Sequence, residues 1–363
     1  MKFKAVCWEL LLAGVLISKM ATAGSVTGLY TPANIGSTAS NGMILKFDSV
    51  TGTNISLSGS NLGASQIQGM TMGPDGNLYA SAFNTGSNTD GRIVRFDPNG
   101  ALIGTFVLPG TGGLVGPAGL TFGPDGNLYV ISNHGFNPGK VLRYDGSSGA
   151  FIDVFSTGIV IGQEIVFGPD GNLYVTNGLG NSISRFNGAT GALLGYVGLG
   201  TIGFRAQIGM AFSPTGDLYV ASFPTNSIFR FGAATGVLVG RFSLPTLDGY
   251  DDELGIPFQY DTLLDLAFGP NQNLYAAMRG YGTAILELNP NTGAMLDQFA
   301  TLPGPYSFNT GMLFVDQQCA QLGLSVGSAS GCYVPSAISE PAPLFLLGLA
   351  LSGLFLTRRK QLA

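Results

Sequence analysis

The segment GPDGNLYV at Gly123–Val130 constrains this chain more than any other, because near-copies of it recur at a nearly fixed interval. It returns as GPDGNLYA at Gly73 and whole at Gly168, with looser forms SPTGDLYV at Ser213, GPNQNLYA at Gly269 and GLYTPA at Gly28. The tyrosines Tyr30, Tyr79, Tyr129, Tyr174, Tyr219 and Tyr275 stand 49, 50, 45, 45 and 56 residues apart. That period suits four short strands with their turns and is too long for a leucine-rich or helical-pair repeat.

Within a unit, GMTMGPDGNLYAS from Gly69 reads as an apolar run, a turn and a second apolar run. Pro74 presets φ at the second turn position and Gly76 accepts the positive φ that closes the turn, which predicts a hairpin. A third strand follows as RIVRFD (Arg92–Asp97), echoed by KVLRYD, SISRFN and SIFRFG, and a fourth as ALIGTFVL from Ala101. Helical periodicity is absent from the body of the chain, and 56 glycines among 363 residues fit a protein dense in turns. Four antiparallel strands, repeated, are the blades of an all-β propeller. The first unit lacks its innermost strand, whereas TGMLFVDQ (Thr310–Gln317) resembles an innermost strand without partners. Pairing the two closes a six-bladed ring and leaves no open sheet edge.

The pattern GxxFGPDGNLYVxxxxxxxIxRFD resembles the NHL-type repeat of six-bladed β-propellers over Gly28–Gln317. The resemblance implies the fold. It does not choose a function, because the scaffold hosts binding proteins, lyases and lactone hydrolases.

The two ends carry an address. Residues 1–23 run from MKFK through apolar Leu10–Ile17 to ATA, the order of a secretory signal peptide, with cleavage expected after Ala23. The propeller then occupies 24–317, a cysteine-bounded linker 318–338, and a sorting segment 339–363. That last segment, SEPAPLFLLGLALSGLFLTRRKQLA, resembles a PEP-CTERM sorting signal of Gram-negative bacteria. Glu340 and Pro341 match the short motif, Ser339 replaces its first Pro, Leu344–Leu356 would form a short transmembrane helix, and Arg358, Arg359 and Lys360 supply the basic end. The resemblance implies export, transient inner-membrane retention, handling by an exosortase, and a final place at the cell surface or outside the cell. An ordinary C-terminal anchor is the alternative. Once the signal peptide is removed only Cys319 and Cys332 remain; an oxidising compartment favours their pairing, at about 3 kcal/mol by loop entropy.

Charge limits the partners. Without Lys2, Lys4, Lys19, Arg358, Arg359, Lys360, Glu9 and Glu340, the 16 basic and 21 acidic residues become 10 and 19, a charge near −9. Nucleic acid is a poor fit, since its binding rests on neutralising phosphates. An extracellular polysaccharide or protein is the expected partner, and a sugar would have to stack on Tyr or Phe, because the single Trp, Trp8, lies in the signal peptide.

Functional groups of propellers gather where the innermost strands begin. Four units carry glycine there (Gly69, Gly119, Gly209, Gly311), whereas Glu164 and Asp265 replace it in the fourth and sixth blades. Both carboxylates are expected at the channel mouth, with the glycines leaving space. Asn133, His134, Asn177 and Arg279 end second strands on the same face. Glu164, Asp265, Asn133 and Asn177 form a hard-oxygen set suited to Ca²⁺, the candidate cofactor. The set is similar in type to the calcium sites of gluconolactonase and paraoxonase propellers. His134, the only histidine, is the candidate general base, though a lone surface histidine carries no catalytic constellation and no catalytic residue is assigned. The acidic connection containing Asp248, Asp251, Asp252, Glu253 and Asp261 reads as a solvated loop over the mouth. The turn aspartates Asp75, Asp125 and Asp170 are explained by turn chemistry. The basic residues of the third strands (Lys46, Arg95, Arg143, Arg185, Arg230, with Glu287 in the last) are expected to pack their stems between blades with exposed heads. The expected function is a binding or structural propeller; the alternative is a calcium-dependent lactone or ester hydrolase, or a lyase.

Overall fold

The computed structural model describes residues 28–35, 42–58, 66–84, 89–134, 137–178, 180–204, 207–222, 225–232, 235–244, 262–279, 284–301, 306–308 and 312–315. These form six antiparallel sheets. Blade 2 shows the common plan: an inner strand Gln66–Met72, a second strand Leu78–Phe83, a third Arg92–Phe96 and an outer strand Leu102–Val107. Blades 3 to 6 repeat that order, so the all-β six-bladed propeller expected from the repeat is the fold observed. Residues 1–23 and 339–363, where the signal peptide and sorting signal are expected, Cys319 and Cys332, and the acidic connection lie outside the described residues. Among the described residues no helix is long and apolar enough to cross a membrane.

The recurring heptapeptide is a device for holding one tyrosine. In GPDGNLY at Gly73, the Gly73 N–H donates to Asn77 O (2.8 Å) and the Gly76 N–H to Gly73 O (3.0 Å), with Gly76 at φ 76°. Asp75 Oδ1 accepts the Asn77 amide (3.1 Å), while Oδ2 accepts both Asn77 Nδ2 (2.8 Å) and the Tyr79 hydroxyl (2.9 Å). A Cβ on Gly73 would stand 2.4 Å from the Tyr79 ring, so the turn opens with glycine because the ring lies on it. Asp125 and Asp170 repeat these bonds for Tyr129 and Tyr174.

The pinned rings are the seams of the fold. Tyr79 meets Phe106 of its own outer strand and Phe122 of the next blade edge-on, at 4.9 and 5.0 Å between centroids. Tyr129 does the same with Phe155 and Phe167, and Tyr275 with Phe299 and Phe314. The core is thus a set of clusters that each span two neighbouring blades. The third-strand arginines keep partly exposed heads, as expected from sequence, and those heads meet carboxylates of their own blade, in the turn or on the outer strand. Arg185 and Arg230 pair with Asp170 and Asp217 at 2.6 Å, and Arg143 with Asp153 at 2.6 Å. Blade 6 inverts the polarity: Asn271 Nδ2 donates to Glu287 Oε1 (2.9 Å), so an amide and an acid replace the acid and the cation together.

Ring closure takes place in blade 1. Leu313–Val315 pairs antiparallel with Gly28–Tyr30 (Gly28↔Val315, Leu29↔Phe314, Tyr30↔Leu313), supplying the missing inner strand. Tyr306–Phe308 extends the same edge against Ala33–Ile35. Phe314 carries its ring to Tyr275 of blade 6 at 4.7 Å, so the closing strand also seals the last seam. A chain ending before Thr310 should lose both contacts and unfold at a markedly lower temperature in a thermal melt; an unchanged midpoint would contradict closure by this strand.

Candidate functional site

Where the inner strands begin, the blades touch backbone to backbone. A Cβ on Gly69 would lie 2.7 Å from Ala118 O, one on Gly119 2.6 Å from Gln163 O, and one on Gly209 2.6 Å from the Asp265 Cα. The Gly119 N–H donates to Gln163 O across the blade boundary at 2.9 Å. The expectation that these glycines leave space is therefore corrected: they are small because neighbouring strands close on them. Second-strand hydroxyls satisfy amides at this level, with Ser81 Oγ accepting from Gly69 (2.8 Å) and Thr176 Oγ1 from Gln163 and Glu164 (2.9 Å each).

Glu164 and Asp265 are brought together here. Both line one central cavity of about 30 Å³, walled otherwise chiefly by Met70, Leu120, Met210 and Met312. That is room for one or two waters or a single ion. Asp265 is buried, at 2 % exposure, and both of its oxygens are engaged. Oδ1 accepts the Leu266 amide at 2.8 Å, and Oδ2 accepts the amide of Met312 in the closing segment. Two backbone donors hold the carboxylate in place. Asp265 thus joins blade 6 to the strand that completes blade 1.

Glu164 has the opposite environment. Its Oε2 is sealed from solvent and has no hydrogen-bond partner among the described residues. Burial first, and then the charge of Asp265, push its carboxyl well above the ordinary value, against a smaller pull from the Ile165 amide. Burial and the neighbouring carboxylate therefore both favour the neutral form of Glu164 in so small a space.

The amides lie elsewhere. Asn133 Nδ2 donates to Gly162 O (2.7 Å), and Asn177 accepts from the Val160 amide (2.8 Å) and donates to Ser184 Oγ (2.6 Å). They tie down the connection between blades 3 and 4, and neither lines the cavity. The four residues expected to form a calcium set are therefore not assembled at one point. Among the described residues no cluster of three or more acidic, histidine or cysteine side chains is present. His134 and Arg279 end second strands as expected, and their side chains lie outside the described structure. The methionine plug was missed by sequence reasoning, although its signal is present: Met70, Met210 and Met312 each follow a ring glycine.

The Glu164 proton has a consequence for stability. The folded state holds a proton that the unfolded chain releases in the ordinary carboxylate range. Stability should therefore fall as pH rises from that range through the raised value, by about 1.4 kcal/mol per pH unit while the difference lasts. Glu164→Gln should flatten this slope and be more stable than the wild type at pH 8, as read by chemical denaturation across pH. A calcium-induced stabilisation that Glu164→Gln abolishes would show instead that a cation occupies the pair.

No family model matches the chain, and no curated protein does. Solved structures do. A protein of unknown function from Bacteroides caccae is 15 % identical with a TM-score of 0.56, covering 78 % of this chain and 97 % of that one. A chain of a nidogen/laminin complex is 17 % identical at 0.53, covering 78 % and 97 %. A virginiamycin B lyase from Staphylococcus aureus with quinupristin is 18 % identical at 0.52, covering 81 % and 93 %. Likeness at this level establishes the propeller architecture that the chain shares with all three.

Proposed function

We propose that the chain is an exported propeller with a binding or structural role at the cell surface or in the extracellular matrix, delivered by a PEP-CTERM and exosortase route. The observation that carries the binding role is the closed centre. Ligand pockets run to about 300–1,000 Å³, whereas the cavity between Glu164 and Asp265 has about 30 Å³. Asp265 is occupied with holding the ring through two backbone amides, and burial pushes the Glu164 carboxyl toward its neutral form. The delivery route rests on the two termini: an apolar leader ending at Ala23, and Glu340–Pro341 followed by an apolar run and Arg358, Arg359 and Lys360.

The competing reading is a calcium-dependent lactone or ester hydrolase, or a lyase, at the channel mouth. It would require Asp265 to leave Met312 and a donor set that Asn133 and Asn177 do not supply. A panel of lactones and esters offered to the purified protein, with and without calcium, should show no turnover. Turnover that disappears in both Glu164→Gln and Asp265→Asn would overturn the binding reading. Mass spectrometry of released protein should find Gly24 at the N-terminus and no Lys360; released protein that retains the basic tail would contradict sorting by this route.

A further inference from the structure

A second cavity, of about 150 Å³, lies between blades 4 and 5, lined by Tyr174, Arg185, Val197, Phe212, Leu218 and Phe231 among others. The repeat explains why it is there. In blades 2, 3, 5 and 6 the outer strand carries a phenylalanine (Phe106, Phe155, Phe242, Phe299) against the pinned tyrosine of the same blade. In blades 2, 3 and 6 that phenylalanine is the extra residue of a β-bulge. Blade 4 has no bulge and no phenylalanine at this point: Tyr196 and Val197 pair directly with Ser184 and Ile183, and its register shift falls instead between Arg185 and Phe186. Among the described residues Tyr174 meets one phenylalanine ring, that of Phe212 from the next blade, with the Arg185 guanidinium 5.8 Å over its face, and it is 5 % exposed, against 1 % for Tyr79 and Tyr129. A cavity of about 150 Å³ is the size that accepts benzene.

The cation above the socket is also short of a partner. In blade 3, Arg143 lies over the Phe155 ring, its Nε donates to Asp153 Oδ1 (3.1 Å), and its Nη1 lies 3.7 Å from Asp125. One guanidinium there serves an aromatic ring and two carboxylates. In blade 4, Arg185 keeps the turn carboxylate, Asp170, on Nη2 at 2.6 Å. Its outer strand has Gly195 where blade 3 has Asp153, and Arg185 Nε is buried with no hydrogen-bond partner among the described residues. Blade 4 therefore lacks both a phenyl ring and a carboxylate that blade 3 provides from its own chain.

We infer that the blade 4–5 socket is a binding site for a small aromatic carboxylate. Its ring takes the place of the missing phenylalanine on Tyr174, and its carboxylate pairs with the Arg185 guanidinium that lines the socket. The site is apart from the channel and does not depend on Glu164 or Asp265. Flanking Leu194 and Tyr196, about half exposed, leave the entrance on the surface.

The test uses phenylacetate as probe on the whole protein, by saturation-transfer NMR and calorimetric titration, with acetate and 2-phenylethanol as single-feature controls. Phenylacetate should bind at least tenfold more tightly than acetate and several-fold more tightly than 2-phenylethanol. Val197→Phe should fill the socket, because Phe242 in blade 5 reaches Tyr219 from the same unbulged register. It should melt at or above the wild-type temperature and bind phenylacetate at least tenfold more weakly. Arg185→Gln should bind phenylacetate and 2-phenylethanol equally, and its binding preference remains decisive if Val197→Phe does not fold. Absence of phenylacetate binding to the wild type, undiminished binding to a folded Val197→Phe, or an unchanged carboxylate preference in Arg185→Gln would each overturn the assignment.

Discussion

The ring depends on how a tyrosine is held between blades. In blades 2, 3 and 4 its hydroxyl is fixed to the aspartate of its own turn, and in blades 2, 3 and 6 its ring meets phenylalanines of two blades, edge-on pairs worth about 1 kcal/mol each beyond the area they bury. Burial pushes the Tyr79 phenol up to about 12, so its hydroxyl remains a donor to Asp75 throughout the neutral range. A propeller has no central core; neighbouring blades must be glued in series, and a failure at one seam opens the whole. This is why one heptapeptide is repeated, and why the closing segment brings Phe314 to Tyr275 and Met312 to Asp265 together.

The channel follows from that closure. Inner strands pressed backbone to backbone leave a narrow centre, and methionines fill it. Asp265 meets that confinement with dedicated donors, and burial pushes Glu164 toward its neutral form. The pair that sequence comparison between units singles out is thus a real departure from the repeat. Its chemistry is that of a lock between blades 6 and 1 beside a neutral acid.

Sequence made the architecture legible because strand, turn and closure are each local patterns. Pro74 and Gly76 mark a turn without any tertiary information, and an incomplete first unit facing an orphan last strand admits one repair. It was less able to read the site, since what a glycine does depends on a strand some fifty residues away. Gly119 looks alike whether it opens a channel or lets Gln163 approach to 2.9 Å. Asn133 and Asn177 likewise sit where ligands would, yet Asn177 and the Nδ2 of Asn133 bond to connecting loops, and neither residue lines the cavity. The blade 4 socket was visible in principle: Val197 stands where four other units have phenylalanine. Its meaning required knowing that the ring packs on the pinned tyrosine.

Asp265 can hold the closing segment beside a buried Glu164 only if Glu164 is neutral at physiological pH, and infrared spectroscopy of the folded protein with isotopically labelled glutamate measures this directly. One glutamate should show the carbonyl stretch of a protonated acid at pH 7, unaltered by added calcium and missing from Glu164→Gln. A spectrum in which every glutamate is ionised at pH 7, or in which calcium removes the protonated band, would contradict it.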